Sequence, residues 1–453
     1  MNMKKLKLST THIILLSFIV VILIGAVLLS LPVSSADGKA TPFVDALFTA
    51  TTSTCVTGLV VAPTVSTWST FGHVVMLVLI QVGGLGVITV MASLSVFLQR
   101  RMGLSDRVLV QDAFNLDSLE GLGSFIKKVI KGTFLVEGIG ALLYMTVFVP
   151  DFGLKGVWIS VFNAISAFCN AGIDIFAENS LCDYATHPVI NLVTSLLIIL
   201  GGLGYIVWWD AIRIIKSRVN GKKLGLKSLT LHSKIVLVTT AVLLVGGGVL
   251  FLVFEYNNPL TIKDLSLYDK IQVSFFQSVT TRTAGFASVP QENLSNTSAV
   301  LSLLLMFIGG SPVGTAGGVK TVTFAVIIAS AISSVKNKDN VDVFNRSIAK
   351  QTVSKAVSVI CMSGFIVMLS TLLLSFVTPD ASVIDIAFET VSATATVGLS
   401  RNLTSSLSVL GKLIITVTMY FGRVGPISLA VALNMKKQNT SIIKNPTEDV
   451  RVG

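Results

Sequence analysis

Runs of about 20 mostly apolar residues, the length a helix needs to cross a bilayer, recur eight times in this chain, near 12–32, 71–98, 133–149, 189–209, 235–254, 299–332, 356–376 and 406–434. With 52% of its residues hydrophobic and only 13% charged, the chain cannot hide so much apolar surface in one water-soluble core. The expectation is a polytopic, all-α membrane protein with eight spans. The first run follows the basic start MNMKKLKLST but is too long for a signal core and shows no clear cleavage site, so it reads as a retained helix. Of 34 Lys and Arg, 25 fall in five alternate segments: the N-terminus, 100–131, 213–234, 336–355 and the tail from Lys436. The positive-inside rule puts all five in the cytoplasm, with both termini inside the cell membrane. The net charge of +11 is therefore topology and not a footprint for nucleic acid.

Four short stretches between those runs align without a gap: LFTATTSTCVTGL (47–59), VFNAISAFCNAGI (161–173), SFFQSVTTRTAGF (274–286) and AFETVSATATVGL (387–399). Each carries Phe ten residues before a glycine, then small or hydroxyl residues, then Gly58, Gly172, Gly285 or Gly398. The glycines are 114, 113 and 113 residues apart. One loop glycine is ordinarily a turn; four at equal spacing in one sentence of residues are a repeat. Each unit reads as span, short helix, glycine loop, span. A helix of ten residues rises only about 15 Å, so it enters the membrane and turns back, which irregular backbone tolerates only where protein buries it or water lines it. The expected architecture is four tandem helix–pore loop–helix repeats in pseudo-fourfold symmetry about one pore. Their bounds are 1–110, 111–222, 223–340 and 341–435, with a cytoplasmic tail at 436–453.

If the short helices point inward, their negative C-terminal ends favour a cation on the axis. Loop carbonyls can then replace an ion's hydration shell, and glycine's access to positive φ lets successive carbonyls turn to one axis. The ion-binding residues expected from the four loops are Val56, Thr57 and Gly58; Asn170, Ala171 and Gly172; Thr283, Ala284 and Gly285; and Thr396, Val397 and Gly398. No carboxylate lies among them, so a monovalent cation selected by carbonyl geometry is expected.

These four glycine loops, with CVTGL, NAG, TRTAGF and ATVGL, resemble those of the Trk/Ktr/HKT superfamily of potassium transporters, most closely the integral membrane subunit of bacterial Ktr systems. The resemblance covers essentially the whole chain. It implies potassium as the ion carried, since serine in place of the first filter glycine goes with sodium permeation in that family and Gly58 is glycine. It also implies a homodimer docked on a cytoplasmic ring of nucleotide-binding regulatory subunits. The chain itself shows no nucleotide site: its longest cytoplasmic loops are short, and Val319 separates Gly318 from Lys320, against a Walker pattern. Membrane lipid is the other partner expected.

The sixth run is broken by GGSPVGTAGG (309–318), where proline and five glycines oppose a continuous helix. In the family resembled, the matching segment is an intramembrane gate, which here takes in Gly309, Gly310, Ser311, Gly314, Thr315, Gly317 and Gly318. Arg423 lies 25 residues after Gly398, at nearly the depth of Gly310, 25 after Gly285, and its five donors suit carbonyls left free by the break. Arg282, inside the third loop, is expected to turn from the axis toward Glu389 or Asp385. Glu137 is an intramembrane carboxylate whose partner the sequence does not name. Asp45 is placed to help the N-terminus of its short helix. Cys55 and Cys169, each three residues before a glycine, read as small buried packing rather than a soft-metal pair.

Four scattered histidines and no nucleophile motif argue against an enzyme. The alternative to a gated pathway is a sodium- or proton-coupled secondary transporter, and sodium as an activator stays open.

Overall fold

The computed structural model describes residues 10–97, 107–108, 110–111, 122–221 and 225–425. Among the described residues four helices are long and apolar enough to cross a membrane alone: α1 (Thr10–Ser30), α5 (Leu122–Phe152), α9 (Leu231–Glu255) and α13 (Lys350–Val377). Each is followed by a short helix: α2 (Phe43–Cys55), α6 (Lys155–Cys169), α10 (Leu267–Thr280) and α14 (Val383–Ala395).

The expectation of eight spans is corrected at the second and fourth runs, each of which is two helices, and the break expected in the sixth is present. The second run is α3 (Thr70–Leu85) and α4 (Val87–Phe97), parted at Gly86. The fourth is α7 (Pro188–Leu203) and α8 (Tyr205–Val219), parted at Gly204 with a bend of 99°. The sixth is α11 (Asn296–Phe307) and α12 (Thr321–Val335), and the described part of the eighth is α15 (Val409–Val424), which ends at Gly425. Gly86, Gly204 and Gly425 take φ of 86, 83 and 89°, where a side chain would be strained. Glycine thus ends α3, α7 and α15 inside apolar runs that hydropathy alone reads as continuous, whereas α11 ends at Phe307, two residues before Gly309.

Helix starts are chemically marked. The hydroxyls of Ser69, Thr230, Ser266, Ser295, Ser382 and Ser408 each accept the backbone N–H three residues on, meeting a donor that the first turn leaves free. A small hairpin, β1 (Val341–Val343) and β2 (Arg346–Ile348), joins α12 to α13.

Packing closes a ring. Each long first helix lies against the short helix that follows it, and each second helix lies against the short helix of the next repeat: α3 on α6, α7 on α10, α11 on α14, and α15 back on α2. The last contact buries Phe48, Cys55, Ile415 and Met419 in one apolar cluster, which accounts for Cys55 as packing. Aliphatic side chains such as Val78, Leu142, Val242 and Met368 stay exposed on the outer faces, as lipid contact requires.

Candidate functional site

The four glycine loops meet at the centre. In three repeats the short helix stops three residues before the glycine, at Cys55, Cys169 and Ala395; the third stops earlier, at Thr280. The backbone then turns left-handed at the residue two before the glycine in all four: Val56, Asn170, Thr283 and Thr396, at φ of 56, 59, 65 and 52°. The glycines follow at φ of 97, 64, 82 and 98°.

Hydroxyls on the short helices hold these turns. Thr52 accepts Gly58 N–H at 2.9 Å, Ser392 accepts Gly398 N–H at 3.0 Å, and Ser166 accepts Ile173 N–H at 3.1 Å. In the third repeat Thr280 donates to the Phe286 carbonyl at 2.6 Å.

No side chain fits at the glycines. A Cβ on Gly58, Gly172 or Gly285 would stand 2.5 Å from the carbonyl oxygen of Ala171, Ala284 or Val397 respectively, and one on Gly398 would overlap the Thr57 carbonyl. Each glycine therefore abuts the loop carbonyl of the next repeat, and the fourth abuts the first. Of the twelve loop residues expected from the sequence, the structure brings the four glycines together with Thr57, Ala171, Ala284 and Val397 in cyclic order, and places Val56, Asn170, Thr283 and Thr396 at the left-handed turns before them. On one side the four glycines open into a cavity of about 360 Å³ that also exposes Asp174, Glu178 and Glu292.

The segment 308–320 lies directly on the other side. Gly317 N–H donates to Thr283 Oγ1 at 3.2 Å, and a Cβ on Gly317 would collide with Thr396 Oγ1. The Thr315 hydroxyl donates to the Phe168 carbonyl and to Asn170 Oδ1, both at 3.0 Å. The broken end of α7 supplies further partners: Ser311 N–H meets the Gly202 carbonyl at 2.8 Å, Thr315 N–H meets that of Gly201 at 3.1 Å, and Tyr205 N–H meets that of Val313 at 3.0 Å. Arg423 Nη1 donates to the Thr315 carbonyl at 2.7 Å, and Nη2 to that of Gly83 at 2.5 Å, so one guanidinium links the segment to the first repeat.

Arg282 differs from expectation. It pairs with neither Glu389 nor Asp385; its Nη2 donates to the Gly309 carbonyl at 2.9 Å, at the root of the segment. The break after Phe307 frees that carbonyl from helical bonding, so a neutral acceptor lies nearer than any carboxylate. Glu389 instead accepts the hydroxyls of Ser400, at 2.7 Å, and Thr404, while Asp385 pairs with Arg401 at 2.7 Å. Glu137 gains named partners: Gln81 Nε2 at 3.3 Å and the Cys169 thiol. Asp45 sits in the first turn of α2 and also pairs with Lys412 at 2.6 Å.

Sequence reasoning missed the glycines behind the ring. A Cβ on Gly83, Gly201 or Gly422 would overlap the short-helix carbonyl of Thr54, Phe168 or Thr394, four residues before each ring glycine. The signal was present: GGLG at 83–86 and again at 201–204, GGSP at 309–312 and GRVG at 422–425 occupy matching places. In that register Arg423 stands where the other three repeats have glycine. Lys320 was also missed; its ammonium donates to the Ala316 carbonyl at 2.6 Å.

Broken apolar helices around a closed ring of four glycine loops define a multi-pass membrane protein. The chain belongs to the TrkH family of cation transport proteins, whose family model matches residues 4–443. It is 37% identical to the potassium/sodium uptake protein NtpJ of Enterococcus hirae and 38% identical to the Ktr system potassium uptake protein B of Bacillus subtilis, each over 99% of this chain and 98% of the relative. The crystal structure of the potassium transporter TrkH from Vibrio parahaemolyticus shares the fold, with a TM-score of 0.74 at 16% identity over 96% of this chain and 87% of that one. The protein is a transporter and not an enzyme.

Proposed function

We propose that this protein carries potassium into the cell through a gated pore whose filter is the ring of four glycine loops. The observation that carries the reading is the cyclic contact of each glycine with the next repeat's loop carbonyl. Carbonyls packed this closely into one ring can take the place of water around a monovalent cation. Potassium is favoured because the relatives of 36–38% identity are named as potassium or potassium/sodium uptake proteins.

Gly309 to Gly318 is the gate in this reading. It sits against Thr283 and Thr396 across the passage and is held by Arg423, so an ion leaving the ring meets it first. The four repeats act as quarters of one pore, with the bounds expected from sequence and both termini cytoplasmic. The family resemblance supports a homodimer on a nucleotide-binding regulatory ring; the tail at 436–453 and most of the loop at 98–121, which would contact it, lie outside the described residues. The name of NtpJ favours measuring uptake with and without sodium, which tests both activation and coupling.

The test is the potassium-to-sodium flux ratio in proteoliposomes. Gly58→Ser places a side chain against the Ala171 carbonyl and is expected to lower discrimination by about tenfold, or ~1.4 kcal/mol. Unchanged ratios for serine at both Gly58 and Gly398 would remove the ring from the filter.

A further inference from the structure

The basic half of α5 and the helix α8 face each other across an open groove of about 860 Å³. Because α8 leaves α7 at 99°, it runs across the direction of the span instead of continuing it. The floor of the groove is apolar: Leu135 and Val136 on α5, Ile212 on α8, and the rings of Trp208 and Trp209. Gly132 lies beside those rings, and a Cβ there would stand in ordinary contact with them, 3.4 Å from Trp208 Cζ3. The rim carries Lys128, Lys131, Arg213 and Lys216 and no carboxylate. Arg213 is bound to Asp210, and Lys128 stands 6.0 Å from the Trp209 ring centroid. Lys131 and Lys216 make no ion pair among the described residues.

We propose that this groove binds an anionic phospholipid, with the phosphate at the Lys131–Lys216 rim and acyl chain on the apolar floor. Charge and polarity together select the occupant. A water-soluble anion would meet the lysines and leave the floor bare, whereas a zwitterionic lipid would cover the floor and leave the positive rim without net compensation. Tryptophan and lysine side by side are the composition of a membrane interface, and basic pockets between spans attract anionic headgroups. The site is separate from the ring and the gate, so it stands or falls independently of the ion carried.

The test supplies phosphatidylglycerol and phosphatidylcholine in equal amounts to purified full-length protein and counts retained lipids by native mass spectrometry. The wild type is expected to retain phosphatidylglycerol preferentially, and each lysine removed in Lys131→Gln/Lys216→Gln should lower that preference by roughly fivefold. Lys127→Gln, exposed on the same helix but outside the groove, should leave it unchanged. Brominated phosphatidylglycerol should quench tryptophan fluorescence more in the wild type than in the folded double variant, with folding checked by thermal midpoint. Equal retention of both lipids by the wild type would overturn the proposal and leave a protein partner as the occupant. An unchanged preference in the double variant would overturn it equally.

Discussion

The second helices of repeats two and three both break beside a Gly-Gly pair, but to different ends. After Gly201-Gly202 the chain needs only Gly204 to turn, and α8 begins at Tyr205. After Gly309-Gly310 come Pro312, which lacks an N–H, and three more glycines, so no helix resumes until Thr321. The first break makes the second one possible. In a continuous helix Tyr205 N–H would bond to the Gly201 carbonyl and Ile206 N–H to that of Gly202. Because α7 ends, those carbonyls are free for Thr315 and Ser311, and Tyr205 N–H is free for Val313. A segment of irregular backbone at membrane depth thus finds its partners in a neighbour's broken helix.

The largest predicted effect breaks this docking. A Cβ on Gly201 would overlap the Phe168 carbonyl, whereas one on Gly202 would find its nearest neighbour, Ala316 Cβ, at 3.8 Å. Gly201→Ala should therefore cost at least ~2 kcal/mol and abolish uptake, while Gly202→Ala should stay within about 0.5 kcal/mol. Thermal unfolding in detergent compares them directly, and equal midpoints would mean that the two glycines are not packed differently.

The next effect is on flux. Arg423→Ala removes charge-assisted bonds to Thr315 and Gly83, each of which contributes ~1.5–3 kcal/mol. If those bonds hold the segment across the passage, uptake should rise roughly tenfold or more, with the potassium-to-sodium ratio near the parent's. A changed ratio with unchanged rate would move 309–318 from gate to filter.

Glycine spacing made the ring legible because each ring glycine is required by a carbonyl that leaves no room for Cβ. The left-handed residues two places earlier were not legible: Val56, Asn170, Thr283 and Thr396 are of three different types, and Val and Thr disfavour the conformation that tertiary packing imposes. The partner of Arg282 was hidden for another reason. A sequence displays carboxylates, but it does not display which backbone carbonyls a broken helix sets free. Hydropathy misled similarly, since it averages over the glycines that end α3, α7 and α15. A double-mutant cycle sharpens the corrected pairing: Arg282 and Asp385 should couple by less than about 0.3 kcal/mol, and Arg401 and Asp385 by about 1 kcal/mol. Arg401 earns the larger value because it is 10% exposed and also donates to the Gln291 and Glu292 carbonyls.

The smallest effect concerns the same position in the first repeat. Asp45 and Asp385 both lie 13 residues before their ring glycines, each in the first turn of a short helix, where the helix dipole favours a carboxylate. Their partners differ. Arg401 comes from the same repeat as Asp385, whereas Lys412 on α15 crosses from the fourth repeat to Asp45 on the first. That crossing makes the Lys412 pair look like the clasp of the ring, yet its side chains are 17% and 27% exposed, and a lone partly exposed pair contributes little. The clasp is the apolar contact beneath it, where Ile415 and Met419 of α15 cluster with Phe48 and Cys55 of α2, all four fully buried. Lys412→Ala should accordingly cost no more than about 1 kcal/mol, and less in molar salt, which screens what charge interaction remains. Met419→Ala should cost ~2–5 kcal/mol at any ionic strength. Thermal midpoints of both variants at low and high salt decide the matter: a lysine variant as damaged as the methionine one would make the ion pair, and not the apolar seam, the closure of the ring.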